Sequence, residues 1–361
     1  MLPAMMTLNT LSLNKTTMRS HPEDVDAGNP LRSYPLSTGF QPAKAGENVY
    51  ETFESFVNVM HVRTENGAAR DLNSGKALYV STDFGLSWTP AGGNLPDDAT
   101  VEVMEKKGGQ LVLGTENYGL FIGHPDNPVW KRAGQDLPNQ KITALHVADQ
   151  EMYVGVYESG IFVSRDDGAS WQSLNHNLTD LSVRSILKIG DELLVGTNTG
   201  LFRSEQGQTR WKKIFVEGQV TSLKAGAGKI AGGTNRGIIL SEDEGQTWRW
   251  ILKKGAVHNI AILEDQLISM DISGDLRFFR DKGNYWETIN YFPRQYSYIY
   301  EMARAGDYLI FSNNYGVHRS EDGGKHWTLV FPNEETVFYD FLVEGQTIYA
   351  GTRGWNERRG K

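Results

Sequence analysis

The octapeptide SRDDGASW, residues 164–171, places two adjacent acids and two serines in one short segment. Acids in such a segment could act as general acid and base in catalysis. Three further segments match it, STDFGLSW at 81–88, SEDEGQTW at 241–248 and SEDGGKHW at 320–327. A catalytic constellation rarely occurs four times in one chain, so the repetition indicates a structural turn.

The four segments share Ser, Asp, Gly and Trp at constant spacing, and we call them the box turns. We expect Asp to accept backbone N–H groups, Gly to supply a positive φ, Ser to add a local hydrogen bond and Trp to bury its ring against a neighbouring blade. The shared residues are Ser81, Asp83, Gly85, Trp88, Ser164, Asp166, Gly168, Trp171, Ser241, Asp243, Gly245, Trp248, Ser320, Asp322, Gly324 and Trp327.

Weaker copies of the segment fill the gaps and end at Trp130, Trp211 and Trp286. The seven tryptophans therefore recur about every 40 residues, which is typical of a repeat architecture. Each period holds an apolar run such as LLVGT, a tight turn such as NTG, a second apolar run and then the box segment. Short β-rich runs bounded by Gly, Asn and Asp indicate strands joined by hairpins. Four strands per period predict an all-β protein, with one antiparallel propeller blade per repeat.

The two ends of the repeat region complement each other. Residues 337–352 copy the first half of a repeat, and residues 77–88 supply the missing second half. Joining them predicts a single seven-bladed propeller closed by a blade that the N- and C-terminal strands share, which removes free sheet edges. Residues 57–67 compete for the same place and would leave 337–352 as part of an eighth blade. We expect residues 1–46 to form a polar, poorly ordered extension and residues 47–361 to form the propeller, with its repeats over about 77–352.

The motif S-x-D-x-G-x-[ST]-W resembles the Asp-box, or BNR repeat. This repeat is found in sialidases, sortilin-type domains, xyloglucanases and photosystem II stability and assembly factors. The resemblance implies that the box turns lie on the blade periphery, away from a ligand-binding face. It implies the fold more than the function, because the family includes unrelated activities.

Composition excludes several function classes. The net charge is −8 and Cys is absent, so we expect no nucleic-acid partner, no disulfide and no thiolate site. No apolar run approaches the ~20 residues of a membrane span. The scattered histidines and the lack of a phosphate-binding loop predict no metal and no cofactor. We expect a monomer. The family resemblance favours an extracytoplasmic location, although the visible N-terminus does not read as a signal peptide.

Propeller ligands usually bind at the loops between blades and between second and third strands. In these loops the candidate binding residues are Tyr118, Tyr157, Arg236, Tyr315 and Arg353, together with Tyr291, Phe292 and Arg294 from the segment NYFPRQ. Exposed Tyr, Phe and Arg suit recognition of a protein or a glycan. The candidate catalytic carboxylates are Asp271, Glu158 and Glu116.

Two functions follow from these residues. The first is a non-catalytic binding or assembly scaffold that presents a propeller face to a protein or glycan. The alternative is a glycoside hydrolase, sialidase-like or other, with two carboxylates within reach on the channel face. The Phe-Arg-Ile-Pro motif of sialidases is absent from the sequence, and xyloglucanase-like enzymes place their acids on two facing propellers. We therefore favour the scaffold over the enzyme.

Overall fold

A computed structural model of the chain describes residues 77–354 except 149, 206–209, 216, 264–265, 272–275, 281–284, 290–298, 314, 325 and 334–336. All regular secondary structure in this part of the chain is β-strand, arranged in seven four-stranded antiparallel sheets. The chain is therefore a seven-bladed β-propeller, as the repeats predict.

Blades 1 to 4 each use four consecutive strands. Blade 1 contains β3 (Val101–Lys107), β4 (Gln110–Thr115), β5 (Leu120–His124) and β6 (Asn127–Ala133). Blade 2 contains β7 (Ile142–Ala148), β8 (Glu151–Val156), β9 (Gly160–Ser164) and β10 (Gln172–Ser173). Blade 3 contains β11 (Val183–Ile189), β12 (Glu192–Thr197), β13 (Leu201–Glu205) and β14 (Arg210–Phe215). Blade 4 contains β15 (Val220–Gly226), β16 (Lys229–Thr234), β17 (Gly237–Ser241) and β18 (Arg249–Leu252).

Blades 5 and 6 follow the same order, and blade 7 combines the two ends of the repeat region. Blade 5 contains β19 (Val257–Leu263), β20 (Gln266–Asp271), β21 (Leu276–Arg280) and β22 (Tyr285–Ile289). Blade 6 contains β23 (Glu301–Ala305), β24 (Tyr308–Asn313), β25 (Gly316–Ser320) and β26 (Thr328–Pro332). Blade 7 contains β27 (Val337–Glu344), β28 (Thr347–Gly354), β1 (Leu78–Ser81) and β2 (Thr89–Pro90).

Blade 7 closes the ring as predicted. Its inner strands β27 and β28 come from the C-terminal end, and β28 pairs antiparallel with β1, for example Ala350 opposite Tyr79. Because the two distant segments pair with each other, neither strand has an unpaired edge where they meet. The segment 57–67, which could have claimed this position, lies outside the described residues, as do the predicted extension 1–46 and residues 47–76.

Neighbouring blades pack through shared apolar clusters. Between blades 1 and 2, Val112 and Leu120 from one blade pack with Ile142 and Met152 from the other, and all four are fully buried. In blades 1 to 4 the second strand is buried on both faces, with five consecutive buried residues in each of β4, β8, β12 and β16. A continuous apolar run is expected for a strand covered on both sides. Burial between blades therefore holds the ring together.

The box turns are closed by their own polar side chains. In the turn at 164–171, Ser164 Oγ accepts from Gly168 N at 2.8 Å and donates to Asp166 Oδ1 at 2.8 Å. Asp166 also accepts from Ser170 N at 2.9 Å and from Ser170 Oγ at 2.5 Å. The same Ser–Gly and Ser–Asp bonds recur in the other three turns. These bonds, first those from Ser170, lower the pKa of Asp166 to about 2.

Two successive residues of each box turn have left-handed backbone, at φ 58° for Asp167 and 82° for Gly168. Asp167 is also ion-paired with Lys107 of blade 1. Likewise Arg319 of blade 6 donates to Phe84 O in the blade 7 turn at 3.0 Å. The second acid of SRDDGASW is therefore a turn residue that contacts the preceding blade.

The tryptophans fall into two groups. In the four box turns the Trp ring is half-buried, and Trp88, Trp248 and Trp327 donate through Nε1 to the carbonyl of their own turn glycine. Trp130 and Trp211, in the weaker copies, are only 3% and 5% exposed and donate to carbonyls of the preceding blade-to-blade segment. Two of the three weaker copies therefore bury their tryptophan more deeply than the box turns do, whereas Trp286 of the third is half-buried.

Candidate functional site

One face of the ring collects the loops that the sequence analysis selected. In each of blades 1 to 5 the first residue of the inner strand pairs with the last residue of the second strand, as in Val183 with Thr197. The loops after the second strands and those before the inner strands therefore share one side of the ring. We call this side the loop face.

Glu116, Lys141 and Tyr157 form one group on the loop face. Lys141 Nζ bonds to Glu116 Oε1 at 2.7 Å and lies 5.3 Å from the centre of the Tyr157 ring. The Tyr157 side chain is 36% exposed. Glu116 is thus held by a cation, and the group presents an aromatic ring with a positive charge beside it.

Tyr118 lies in the same loop as Glu116 and is oriented by Asp98. Its hydroxyl donates to Asp98 Oδ1 at 2.5 Å, and this hydrogen bond raises the pKa of Tyr118 above its ordinary value. Arg132 Nε donates to Tyr118 O at 3.0 Å. These bonds connect blade 1 to the loop that precedes it.

Glu158, Arg236 and Tyr315 are exposed at separate loops of this face. Glu158 has φ 51° in the turn after β8, and Tyr315 is 42% exposed after β24. Arg236 follows β16, where its backbone N–H donates to Thr234 Oγ1 at 3.0 Å. The fold places all three on one side of the ring but does not bring them into mutual contact.

The remaining candidates are only partly described. Asp271 ends β20, where its backbone pairs with Val257. Its side chain, and all of Tyr291, Phe292 and Arg294, lie outside the described residues. Their roles stay predictions.

Arg353 takes part in a buried arrangement near the loop face. Its guanidinium Nη2 donates to Glu102 Oε2 at 2.6 Å, and its Cζ lies 4.9 Å from the centre of the Tyr300 ring. The side chains of Arg353 and Glu102 are 24% and 12% exposed. The bond joins β28 of blade 7 to β3 of blade 1, across the junction next to the shared blade.

Two acids that the sequence analysis missed lie beside this bond. One residue of each inner strand occupies the same register position, opposite the residue that is Gly in most second strands; the seven are Val103, Ala144, Ser185, Ser222, Asn259, Glu301 and Asp340. Blades 1 to 4 have small or apolar residues there. Blades 5 to 7 have Asn259, Glu301 and Asp340, and the Asn259 amide donates to Glu301 Oε2.

Glu301 and Asp340 have pKa values above the ordinary range. Burial is the main cause for Glu301, which is 6% exposed, and the Asp340 carboxylate adds to it, raising the Glu301 pKa to about 8. Burial also raises the pKa of Asp340, against the opposing effect of Arg353. Both carboxyls therefore bind a proton more tightly than an exposed carboxyl does.

We call Asn259, Glu301, Asp340, Arg353 and Glu102 the closure line, because they run through blades 5, 6, 7 and 1 where the ring closes. A sequence signal for them exists. Glu301 and Asp340 each interrupt an apolar inner strand, in YIYEMA and FYDFLV, at a position that is Val, Ala or Ser in blades 1 to 4. Aligning the inner strands by their repeat would have exposed both acids.

Among the described residues, no group of three or more His, Asp or Glu side chains could hold a metal ion. No helix in the described part of the chain is long and apolar enough to cross a membrane. Chemically, the closure line offers a buried carboxyl, that of Glu301, whose pKa is raised. The loop face offers exposed tyrosines and basic side chains.

Comparison with known proteins places this fold among several propellers. No family model and no curated protein sequence matches the chain. A solved structure described as YCF48 bound to D1 peptide is similar, with TM-score 0.57 and 16% identity over 72% of this chain and 93% of that one. An extracellular domain of a hybrid two-component system from B. thetaiotaomicron aligns with TM-score 0.58 and 14% identity, over 69% of this chain and 36% of that one.

An ancestral GH74 enzyme aligns with TM-score 0.56 and 13% identity, over 76% of this chain and 45% of that one. The chain therefore spans nearly all of the YCF48 structure but less than half of the other two. At these identities the likenesses establish the fold, a seven-bladed propeller shared by binding proteins and glycoside hydrolases.

Proposed function

We propose that this chain is a non-catalytic binding scaffold whose loop face holds an extended segment of a protein partner. The observation that carries the proposal is that two tyrosines, Tyr157 beside the Lys141 ammonium and Tyr315, are exposed on that face. Aromatic rings bury large area at low entropic cost and are enriched where proteins recognise one another.

The extent of the chain favours this function over hydrolysis. The chain matches 93% of the YCF48 structure, whose description includes a bound peptide, but 45% of the GH74 enzyme. Of the loop-face acids, Glu116 is bound to Lys141 at 2.7 Å. An acid committed to a cation is a poor proton donor, because the cation stabilises its charged form.

The proposal is tested by selecting ligands for the purified full chain from a random peptide library, in parallel with a glycan array. We expect peptides to be enriched, and Tyr157→Ala or Tyr315→Ala to weaken their binding at least about tenfold, the loss of roughly 1.4 kcal/mol. Tyr285→Ala is the matched control, because Tyr285 is 53% exposed but lies on the outer strand β22. Enrichment that all three variants leave unchanged would contradict the assigned face, and binding to glycans alone would replace the peptide with a sugar.

A second function, glycoside hydrolysis, is favoured by one observation. Glu301 carries a raised pKa beside the Asp340 carboxylate, the division of roles that glycosidases need between an acid and a base or nucleophile. Against it, Glu301 is only 6% exposed. A screen of fluorogenic glycosides decides: turnover that Glu301→Gln abolishes would make the protein an enzyme and overturn the scaffold proposal.

A further inference from the structure

We propose that the closure line is a proton-linked joint, in which the buried carboxyl of Glu301 keeps a proton near neutral pH and the loss of that proton loosens the contact among blades 5, 6 and 7. This property concerns the ring itself and does not depend on which partner the loop face binds. It predicts a propeller that is tightest under mildly acidic conditions and weaker under alkaline ones.

The geometry places both acids at one level of consecutive inner strands. Glu301 on β23 pairs with Ser312 on β24, and Asp340 on β27 pairs with Gly351 on β28. The two acids therefore occupy equivalent positions in adjacent blades. Asn259, at the same level in blade 5, donates to Glu301. A single side-chain level therefore connects three blades, and the last of these is the blade in which the two ends of the repeat region meet.

The described groups around this pair compensate only part of its charge. Glu301 accepts a hydrogen bond from the neutral Asn259 amide of β19, while the Asp340 carboxylate of β27 and the charges of Lys224 and Arg353 from β15 and β28 act on it through space. The phenol of Tyr300, the preceding residue, lies among the same charges, and burial keeps it neutral by raising its pKa. Arg353 is bonded to Glu102 at 2.6 Å, and Glu102 from β3 adds negative charge near Asp340.

Ionising both Glu301 and Asp340 would thus put two carboxylates in neighbouring blades near the Arg353 guanidinium. That guanidinium is already bonded to a third carboxylate, Glu102. Lys224 is exposed and acts on both acids from the inner strand of blade 4. Like charges in a partly dry interior repel strongly, so one carboxyl retains its proton.

The direction of the pH effect follows from linkage. Because the Glu301 pKa in the folded protein, about 8, lies above its ordinary value, the folded state binds the proton more tightly than the unfolded chain does. Its contribution is fully present below the ordinary pKa of Glu and is lost as pH rises through the folded value. We expect the lost stability to weaken the interface of blades 5, 6 and 7, because the negative charge of Glu301 forms there.

The experiment follows the thermal unfolding midpoint of the full chain from about pH 5 to 9 for the wild type, Glu301→Gln and Glu344→Gln. We expect the wild-type midpoint to fall across the alkaline half of this range and the Glu301→Gln midpoint to stay nearly level. Glu344→Gln is the control, since Glu344 is on β27 but 51% exposed and paired with Lys106. Its profile should follow that of the wild type. Equal slopes for wild type and Glu301→Gln would overturn the proposal.

A second measurement does not depend on whether Glu301→Gln folds. Infrared spectra of the wild type in heavy water should contain the C=O stretch of a protonated carboxylic acid at neutral pH, and the band should disappear in an alkaline titration. Asp340→Asn removes the neighbouring negative charge, so the band should then disappear at lower pH. Absence of the band at neutral pH, or a titration midpoint that Asp340→Asn leaves in place, would refute the proton-linked joint.

Discussion

The box turns and the closure line place carboxylates in opposite environments. In the turns, Asp166 and Asp243 lie at the surface and accept hydrogen bonds first from Ser170 and Thr247, which lower their pKa values to about 2. In the closure line, burial raises the pKa of Glu301 to about 8. The turn acids are therefore fully ionised structural groups, whereas burial makes the Glu301 carboxyl hold its proton more tightly than an exposed acid does.

The difference shows that donors and burial, more than residue type, decide what an acid does. The segment SRDDGASW has the composition of an active site, yet every polar contact described for its first acid lies within its own turn. The acid in YIYEMA is a single residue in an apolar inner strand, yet it is the one whose pKa burial raises.

Breaking the ion pair of the closure line should have the largest effect. Arg353→Met would leave Glu102, which is 12% exposed, without its cation. We expect a loss of about 3 kcal/mol in the free energy of unfolding, measured by chemical denaturation. The double variant Arg353→Met/Glu102→Gln should recover part of it. A single-variant loss below about 0.5 kcal/mol would make the pair equivalent to a surface ion pair and remove the contrast with the turns.

Filling the space around a turn glycine tests whether the box turns support the contact between blades. In Gly168→Ala the new Cβ would meet Ala133 Cβ at 3.1 Å and Met152 Cε at 3.2 Å, at φ 82°. We expect a loss of about 2 kcal/mol from backbone strain and crowding together. Gly323→Ala is the control, since its Cβ at φ 73° meets nothing within 4 Å and adds strain alone. Equal losses would show that the turn does not pack against blade 1.

Removing the charge of a turn acid should have the smallest effect, with the opposite pH dependence to that of Glu301. Asp166→Asn should lower the thermal midpoint slightly at neutral pH, because the amide is a weaker acceptor for Ser170 than the carboxylate. A lowered folded pKa contributes stability above the ordinary Asp value, and this is lost as pH falls toward about 2. The difference in thermal midpoint between Asp166→Asn and the wild type should therefore become smaller as the pH falls. A difference in midpoint that does not change with pH would mean that the negative charge of Asp166 does not stabilise the turn.

Much of the fold could be predicted because the repeat is written locally. The recurring tryptophans, the hairpin turns and the two complementary half-repeats predicted the seven blades and the shared blade, and the sheet order confirms both. The candidate site was harder, because loop residues such as Tyr157 and Tyr315 can be placed on one face from the repeat, while their partners cannot. Lys141, which holds Glu116 and covers Tyr157, lies 25 residues after Glu116, in the next blade-to-blade segment.

The strands, the hairpin order within each repeat and the turn chemistry can be read from the sequence, since they depend on residues close together in the chain. The raised pKa values of Glu301 and Asp340 arise only when the ring is assembled. The same holds for the bond from Arg353 to Glu102, a pair 251 residues apart in the chain. The physical reason is that a pKa depends on burial and on neighbouring charges. For an inner strand these come from other blades, so they exist only once the ring has closed.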